Sequence, residues 1–388
     1  MSTEHALRIS RFQDSLRSQG LDSGLVLHAV DIFYLAGTRQ NSALHVPVDG
    51  APILIVRKSL ARASSESGVS DVRPFPPSKQ LAEALGMRGK VGVPFDGVTA
   101  AALEWWRKAV PGAVFVDLGT VLREHRATKS PSELAIMREG GKRVAKVLGE
   151  IPTFLRAGMR ELDLAAEIEA RLRRAGNMGV PRMRGFNSEL FLGLTLSGVS
   201  ACAPGFFDGP AVGRGLGPAY PSGASDRIIL TNEPVLCDYA PVFDGYVVDM
   251  TRCFVVGELP QMLRKAFDVA LEIQGAVSAD LRPGVTGSEL WTVAETIAKR
   301  AGLADHFMGP AGDQARFVGH GVGLELDELP LLSAGYRAPL ADHQVVALEP
   351  KFVFPGIGAI GLENTWVVTP AGGERLTLLG DEIVSMAA

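Results

Sequence analysis

Two stretches of this chain repeat one another in spacing. Leu155-Arg156-Ala157-Gly158 leads into a segment ending Arg174-Ala175-Gly176, and Leu281-Arg282-Pro283-Gly284 leads into one ending Arg300-Ala301-Gly302 at the same intervals. In the first copy Leu164, Ile168 and Leu172 recur at the spacing of one helix face. Gly176 and Gly302 stand just past the helix ends, where left-handed backbone is common. A chain built on two copies of one unit is expected to bury them against each other, so an internal pseudo-twofold repeat is the first expectation for the fold.

The segment after each helix strengthens that expectation. After the first comes Leu236-Cys237-Asp238-Tyr239-Ala240-Pro241-Val242-Phe243, then Asp244-Gly245, then Tyr246-Val247-Val248-Asp249. Asp-Gly between apolar runs predicts a two-residue hairpin turn. Counting outward pairs Phe243 with Tyr246, Val242 with Val247 and Ala240 with Asp249, which puts Asp238 and Asp249 on one sheet face as diagonal neighbours. After the second helix, Val345-Val346-Ala347-Leu348-Glu349-Pro350 turns near Pro355-Gly356 and returns through Ile360-Gly361-Leu362-Glu363. A register centred on Gly356 sets Glu349 opposite Glu363. Four acids converging in apolar surroundings repel one another and lose hydration, so cations are expected among them. His320, in Phe317-Val318-Gly319-His320-Gly321-Val322-Gly323, comes after a strand-like stretch among glycines that allow close backbone approach. Oxygen donors with one imidazole suit Mn, Fe, Co or Zn, and a metal pair with bridging carboxylates accounts for all five residues.

The N-terminal part alternates helical and strand patterns: a helix over Ile9–Gln19, strands at Gly24–His28, Ala51–Val56, Val91–Val93 and Val114–Val116, and helices at Leu81–Leu85 and Ala100–Val110. That alternation predicts an α/β domain. A polar stretch, Arg126–Ser132, precedes a helix start with Ser130 as N-cap and Pro131 at the first helical position. The boundary is therefore expected there, with an α/β domain over 1–126 and an α+β domain over 127–388. A length of 388 residues suits two domains. The mild formal net charge of −4 gives no sign of a nucleic-acid footprint, and no apolar run nears the roughly 18 residues of a membrane span. Met1–Arg11 lacks the apolar core of a secretory signal, and Cys202, Cys237 and Cys253 form no CxxC pair. A cytoplasmic protein with reduced thiols is expected, without nucleic-acid or membrane partners.

These motifs resemble the pita-bread metallopeptidases: methionine aminopeptidase, aminopeptidase P, prolidase and the metal-free creatinase. The resemblance runs through Asp-Tyr-Ala around Asp238, Asp-Met-Thr-Arg around Asp249, Gly-His-Gly-Val-Gly around His320, Leu-Glu-Pro around Glu349 and Leu-Glu-Asn-Thr around Glu363. Tyr34-Leu35-Ala36-Gly37-Thr38 resembles the N-domain of prolidases and creatinases. The resemblance implies a pita-bread catalytic domain behind a creatinase-like N-domain, and a homodimer. It also implies two divalent ions, one on Asp238 and Asp249, the other on His320 and Glu349, with Asp249 and Glu363 bridging. Glu349 becomes the expected proton shuttle.

Three positions depart from the family pattern. Gly205 stands where peptidases of this family carry a substrate-contacting histidine, Asp327 where they carry a second, and Gly361 where prolidases carry an arginine. An acid at 327 suits a cationic group such as a substrate amine. The glycine- and proline-rich stretch from Phe206 to Gly223 is expected to be a loop that offers Asp208 or Arg214 to substrate. Arg184 is a candidate for a substrate carboxylate, or else a surface arginine at a helix end. His45 is a candidate for reaching a partner's pocket. The leading expectation is a dinuclear hydrolase of Xaa-Pro dipeptidase or aminopeptidase P type acting on small peptides. The alternative is a metal-dependent hydrolase or lyase on a small non-peptide molecule, with creatinase-like C–N cleavage. A scaffold that merely inherited the fold is disfavoured, because unused buried acids destabilise a core.

Overall fold

The computed structural model describes residues 3–190 and 192–388. Its contacts divide the chain into the units Met1–Arg126 and Ala127–Ala388. The first unit runs α1 (Thr3–Ser18), β1 (Ser23–Val26), α2 (Ala29–Ala36), β2 (Ser42–Pro47), β3 (Ile53–Val56), α3 (Leu60–Glu66), β4 (Asp71–Pro74), α4 (Leu81–Leu85), β5 (Gly89–Val93), α5 (Ala100–Ala109) and β6 (Ala113–Asp117); α6 (Val121–Ala127) spans the boundary. Six strands form one mixed sheet in the order β4-β3-β2-β1-β5-β6. Leu25, Ile55, Val91 and Val93 from the sheet pack with Leu103 and Trp106 of α5.

The α/β expectation is met, with corrections in detail. The expected strand over Gly24–His28 stops at Val26, because His28 becomes the N-cap of α2. That helix buries Tyr34, Leu35 and Ala36 and ends on Gly37 in left-handed conformation, φ 79°. Hydrophobic periodicity missed α2, a helix of only 8 residues whose buried positions run almost without break. The polar stretch Arg126–Ser132 includes two buried charges. Arg126 is buried against Asp31 at 2.6 Å, and Lys129 is buried against Glu328 at 3.2 Å. Polar residues there pair with distant acids, a relation that local composition does not carry.

The second unit runs α7 (Pro131–Glu150), α8 (Glu161–Arg174), β7 (Gly193–Ser197), β8 (Val235–Tyr239), β9 (Val242–Phe243), β10 (Tyr246–Val247), β11 (Met250–Val256), α9 (Gln261–Ala279), α10 (Gly287–Arg300), β12 (Phe317–Gly321), β13 (Glu328–Ser333), β14 (Val345–Leu348), β15 (Lys351–Phe354), β16 (Gly358–Gly361), β17 (Asn364–Thr369), β18 (Gly372–Arg375) and β19 (Val384–Met386). Helix α7 opens on Ser130 and Pro131 as expected, and Glu133 returns to the Ser130 amide in a capping box. The two repeat helices are α8 and α10, and Gly176 and Gly302 come after them at φ 100° and 70°.

The repeat continues into the sheets. One half carries the order β19-β11-β8-β7, the other β13-β12-β14-β17-β18. In each half, the central pair runs on into a separate two-stranded ribbon. Thus β8 and β11 lead to β9 and β10, and β14 and β17 lead to β15 and β16. Both expected registers hold through this interruption. Phe243 pairs with Tyr246, and the same register sets Asp238 opposite Thr251; Lys351 pairs with Gly361, and Leu348 with Asn364. The halves meet where Thr251 and Glu363 bridge through both backbone amides, at 3.3 and 3.2 Å. Apolar residues on the sheets, such as Leu236, Val346 and Leu348, pack with Phe267 and Ile273 of α9 and Leu290 of α10.

Candidate metal centre

The acids cluster where the ladders break. Asp249 lies between β10 and β11, Glu363 between β16 and β17, and Glu349 between β14 and β15, while Asp238 is in β8. Freed from regular pairing, these positions hold their backbones by other means. The Thr365 hydroxyl accepts from the Asp249 amide at 2.9 Å and donates to the Asp249 carbonyl at 2.8 Å. The buried Arg252 guanidinium donates to the carbonyls of Thr251 and Glu363 at 2.8 and 3.0 Å. The Thr251 hydroxyl donates to Glu363 Oε2 at 2.8 Å. Sequence reasoning passed over these supports, although the hairpin register already placed Thr251 opposite Asp238.

His320 is in β12 itself, between β13 and β14. Its glycine neighbours are required by close approach: a Cβ on Gly319 would lie 2.4 Å from the Ala347 carbonyl oxygen, and one on Gly321 2.3 Å from that of Leu329. His320 Nε2 faces Glu349 Oε1 at 3.6 Å, Glu363 Oε1 at 3.9 Å and Asp249 Oδ2 at 4.0 Å. Its Nδ1 faces Asp327 Oδ1 and the Gly321 carbonyl, each at 3.2 Å.

The donor atoms form two overlapping groups, Asp249–His320–Glu363 and Asp238–Glu349–Glu363, each within a span of 4.8 Å. This differs from the pairing that the resemblance implies, in which Asp238 and Asp249 share an ion. The reason is a residue that the sequence reading passed over. Lys351 Nζ donates to Glu349 Oε2 at 2.7 Å, Asp238 Oδ2 at 2.8 Å and Glu363 Oε2 at 2.9 Å, and the side chain is 1% exposed. It draws those three acids to one point. Period-two alternation was the available signal, since residue 351 shares a strand face with 349.

The first group fits a divalent ion. Buried Asp249 Oδ1 and Glu363 Oε1 have no hydrogen-bond partner, and His320 Nε2 faces the same space. Burial, followed by the charges of Glu363 and Asp238, pushes the Asp249 carboxyl well above its usual range. Burial also raises Asp238, Glu349 and Glu363, against the pull of Lys351. For His320, burial opposes the charged form, yet Asp327, Glu349 and Glu363 outweigh it and raise the pKa. For Lys351 the desolvation is outweighed by Asp238, Glu349 and Glu363, which hold the ammonium well above its ordinary value. An acid-rich pocket of this kind stabilises positive charge.

A cleft of about 630 Å³, including its open mouth, reaches these residues; its walls include Leu192, Phe207, Pro210, Phe317 and Leu326. Asp208 and Asp327 line it as well, and burial together with Asp327 raises the Asp208 carboxyl. Arg184 is not a surface residue at a helix end. It is mostly buried, 3.8 Å from Glu325, and does not line the cleft. Arg214 is exposed and also outside the cleft lining. Gly205 lines a neighbouring cavity, where a Cβ would lie 2.0 Å from Val212 Cγ1; the loop has filled the space that a histidine would need. His45 is buried in β2.

Known proteins share this fold. The model of metallopeptidase family M24 matches residues 135–370, and that of the Creatinase/Prolidase N-terminal domain matches residues 8–128. The Xaa-Pro dipeptidase of Pyrococcus furiosus is 24% identical over 380 residues, covering 97% of this chain and 99% of that protein. The solved Xaa-Pro dipeptidase of Bacillus anthracis superposes with a TM-score of 0.85 at 22% identity, over 98% of this chain and 100% of that one. Dipeptidase PepE of Mycobacterium ulcerans gives 0.82 at 25% identity, over 99% and 98%. A pita-bread domain with paired hairpins and clustered acids, behind a creatinase-type N-domain, makes this chain a prolidase-like metallohydrolase that belongs to metallopeptidase family M24.

Proposed function

We propose that the protein is a metal-dependent peptidase that cleaves short peptides before proline, as an Xaa-Pro dipeptidase or aminopeptidase P does. The carrying observation is the open triad of Asp249, His320 and Glu363 at the floor of a cleft with apolar walls. The relatives named Xaa-Pro dipeptidase favour this reading over a small non-peptide substrate. Asp249, His320 and Glu363 would hold a divalent ion, which would supply Lewis acidity for hydrolysis. The donor set suits Mn, Fe, Co or Zn.

The chain's own residues take the remaining roles. Glu349 borders the cleft and is raised by burial, which suits a group that takes and returns a proton. Asp327 and Asp208 offer negative charge to the free amino group of a short peptide. Asp327 also faces His320 Nδ1, so it positions the imidazole as well. Leu192, Phe207 and Phe317 offer an apolar wall to a proline ring. A cytoplasmic homodimer is the proposed setting; its three cysteines are free, which suits a reducing compartment.

The test is turnover of Xaa-Pro dipeptides and tripeptides by chelator-stripped protein reconstituted separately with Mn, Co, Zn and Fe. Cleavage restored by at least one metal is the expected result. Silence across the whole panel in metal-loaded protein sinks the substrate reading.

A further inference from the structure

The family resemblance implies two metal ions, but the residues provide for one. Lys351 presents three N–H donors to three carboxylate oxygens, on Asp238, Glu349 and Glu363, at 2.7–2.9 Å. These are the members of the second ligand group. An ion shared by those same three oxygens would have to occupy the volume of Nζ itself. The first group is different: its unpartnered oxygens, Asp249 Oδ1 and Glu363 Oε1, remain open.

The lysine is built in along its whole length. Residues 351–354 are all buried, so the lysine arm is enclosed by the protein along its length. Its cross-strand partner is Gly361, where the resemblance expects an arginine. A Cβ on Gly361 would meet Lys351 Cα at 2.7 Å and Cγ at 2.8 Å. The absence of a side chain at 361 is what leaves room for the lysine stem. An ammonium displaced from the acids would give up three charge-assisted hydrogen bonds.

Charge points the same way. Four carboxylates carry −4; the ammonium brings the site to −3 and one divalent ion to −1. A second ion beside a retained ammonium would set two divalent ions and the ammonium against the same four carboxylates, with cations crowded together.

We propose that Lys351 permanently takes one of the two cation positions, leaving a single divalent-ion site on Asp249, His320 and Glu363. This deepens the functional reading and rests on its metal dependence for the ion that stays. The fixed ammonium holds Asp238, Glu349 and Glu363 in place without metal.

Metal counting tests it. Full-length protein is stripped with chelator, loaded with excess Mn(II), desalted, and its manganese counted against protein, with an electron paramagnetic resonance spectrum of the same sample. Wild type is expected to hold one ion with an isolated-ion spectrum. Lys351→Ala is expected to hold two, with a spin-coupled spectrum. Two ions in wild type overturn the proposal, as does a single ion in Lys351→Ala that circular dichroism shows to be folded. Should Lys351→Ala not fold, the wild-type count decides alone. No ion in wild type, repeated with Co and Zn, overturns both the proposal and the metal dependence. One bound ion without Xaa-Pro cleavage overturns only the substrate reading.

Discussion

His320 Nδ1 lies 3.2 Å from Asp327 Oδ1, on the side of the ring away from the acid cluster. An Nδ1–H donated to that carboxylate leaves the Nε2 lone pair facing Asp249, Glu349 and Glu363. The residue standing where the resemblance expects a substrate histidine therefore faces the proposed metal ligand from behind. Asp327→Asn is expected to weaken divalent-ion binding by roughly 10–100-fold. Calorimetric titration with Mn(II) checks this, and an unchanged affinity removes the positioning role.

Asp249 is buried beside Glu363 and Asp238, which makes it a source of repulsion as well as a proposed ligand. Asp249→Asn is expected to move function and stability in opposite directions. Metal-dependent turnover falls by at least about 100-fold, as several kcal/mol of ion-derived stabilisation is lost. The metal-free protein gains roughly 1–2 kcal/mol, as one buried charge is removed from a crowded site. Denaturant unfolding with and without chelator separates the two effects.

Asp208 borders the cleft near Asp327. If these two carboxylates receive the peptide's amino group, Asp208→Asn raises KM about 5–10-fold for peptides with a free N-terminus, since a partly exposed pair is worth about 1 kcal/mol. N-acetylated peptides serve as the control. An equal change in KM for acetylated and free peptides contradicts the assignment.

His45 is buried in β2 with neither ring nitrogen hydrogen-bonded, and burial lowers its pKa from 6.5 to about 4. The folded protein resists a proton that the unfolded chain accepts. The stability it contributes is fully present above pH 6.5 and is lost as pH falls from there toward about 4. The loss is at most roughly 3 kcal/mol. Urea unfolding at pH 7 and pH 4.5 should show a smaller drop for His45→Phe than for wild type; equal drops would place the acid sensitivity elsewhere.

Gly205→His restores the residue type that the resemblance expects, yet its Cβ would fall 2.0 Å from Val212 Cγ1. The substitution is expected to cost about 1–3 kcal/mol in stability without raising activity. A faster, equally stable variant would show that the loop readily moves aside.

Much of the catalytic unit was legible in the sequence. The two helix-and-hairpin copies, the Asp244-Gly245 turn and both hairpin registers come from short-range rules of period and turn chemistry. Those rules sufficed to bring Asp238 near Asp249 and Glu349 near Glu363. They act within one hairpin, and the structure keeps each pair in the expected register.

Tertiary structure decided the rest, because it depends on which side chains from separate strands reach one point. Arg184, a candidate for a substrate carboxylate, lies 3.8 Å from Glu325; Arg126 and Lys129, from the polar stretch at the expected boundary, are buried in ion pairs. Lys351 looked like one lysine in an apolar strand. Only the convergence of Asp238, Glu349 and Glu363 from three chain segments makes it a buried cation at the heart of the site. The sequence alone determined that four acids and a histidine would meet. That the chain's own ammonium reaches three of those acids was decided by the packing of β15 against a glycine on β16, where a side chain at 361 would collide with the lysine stem.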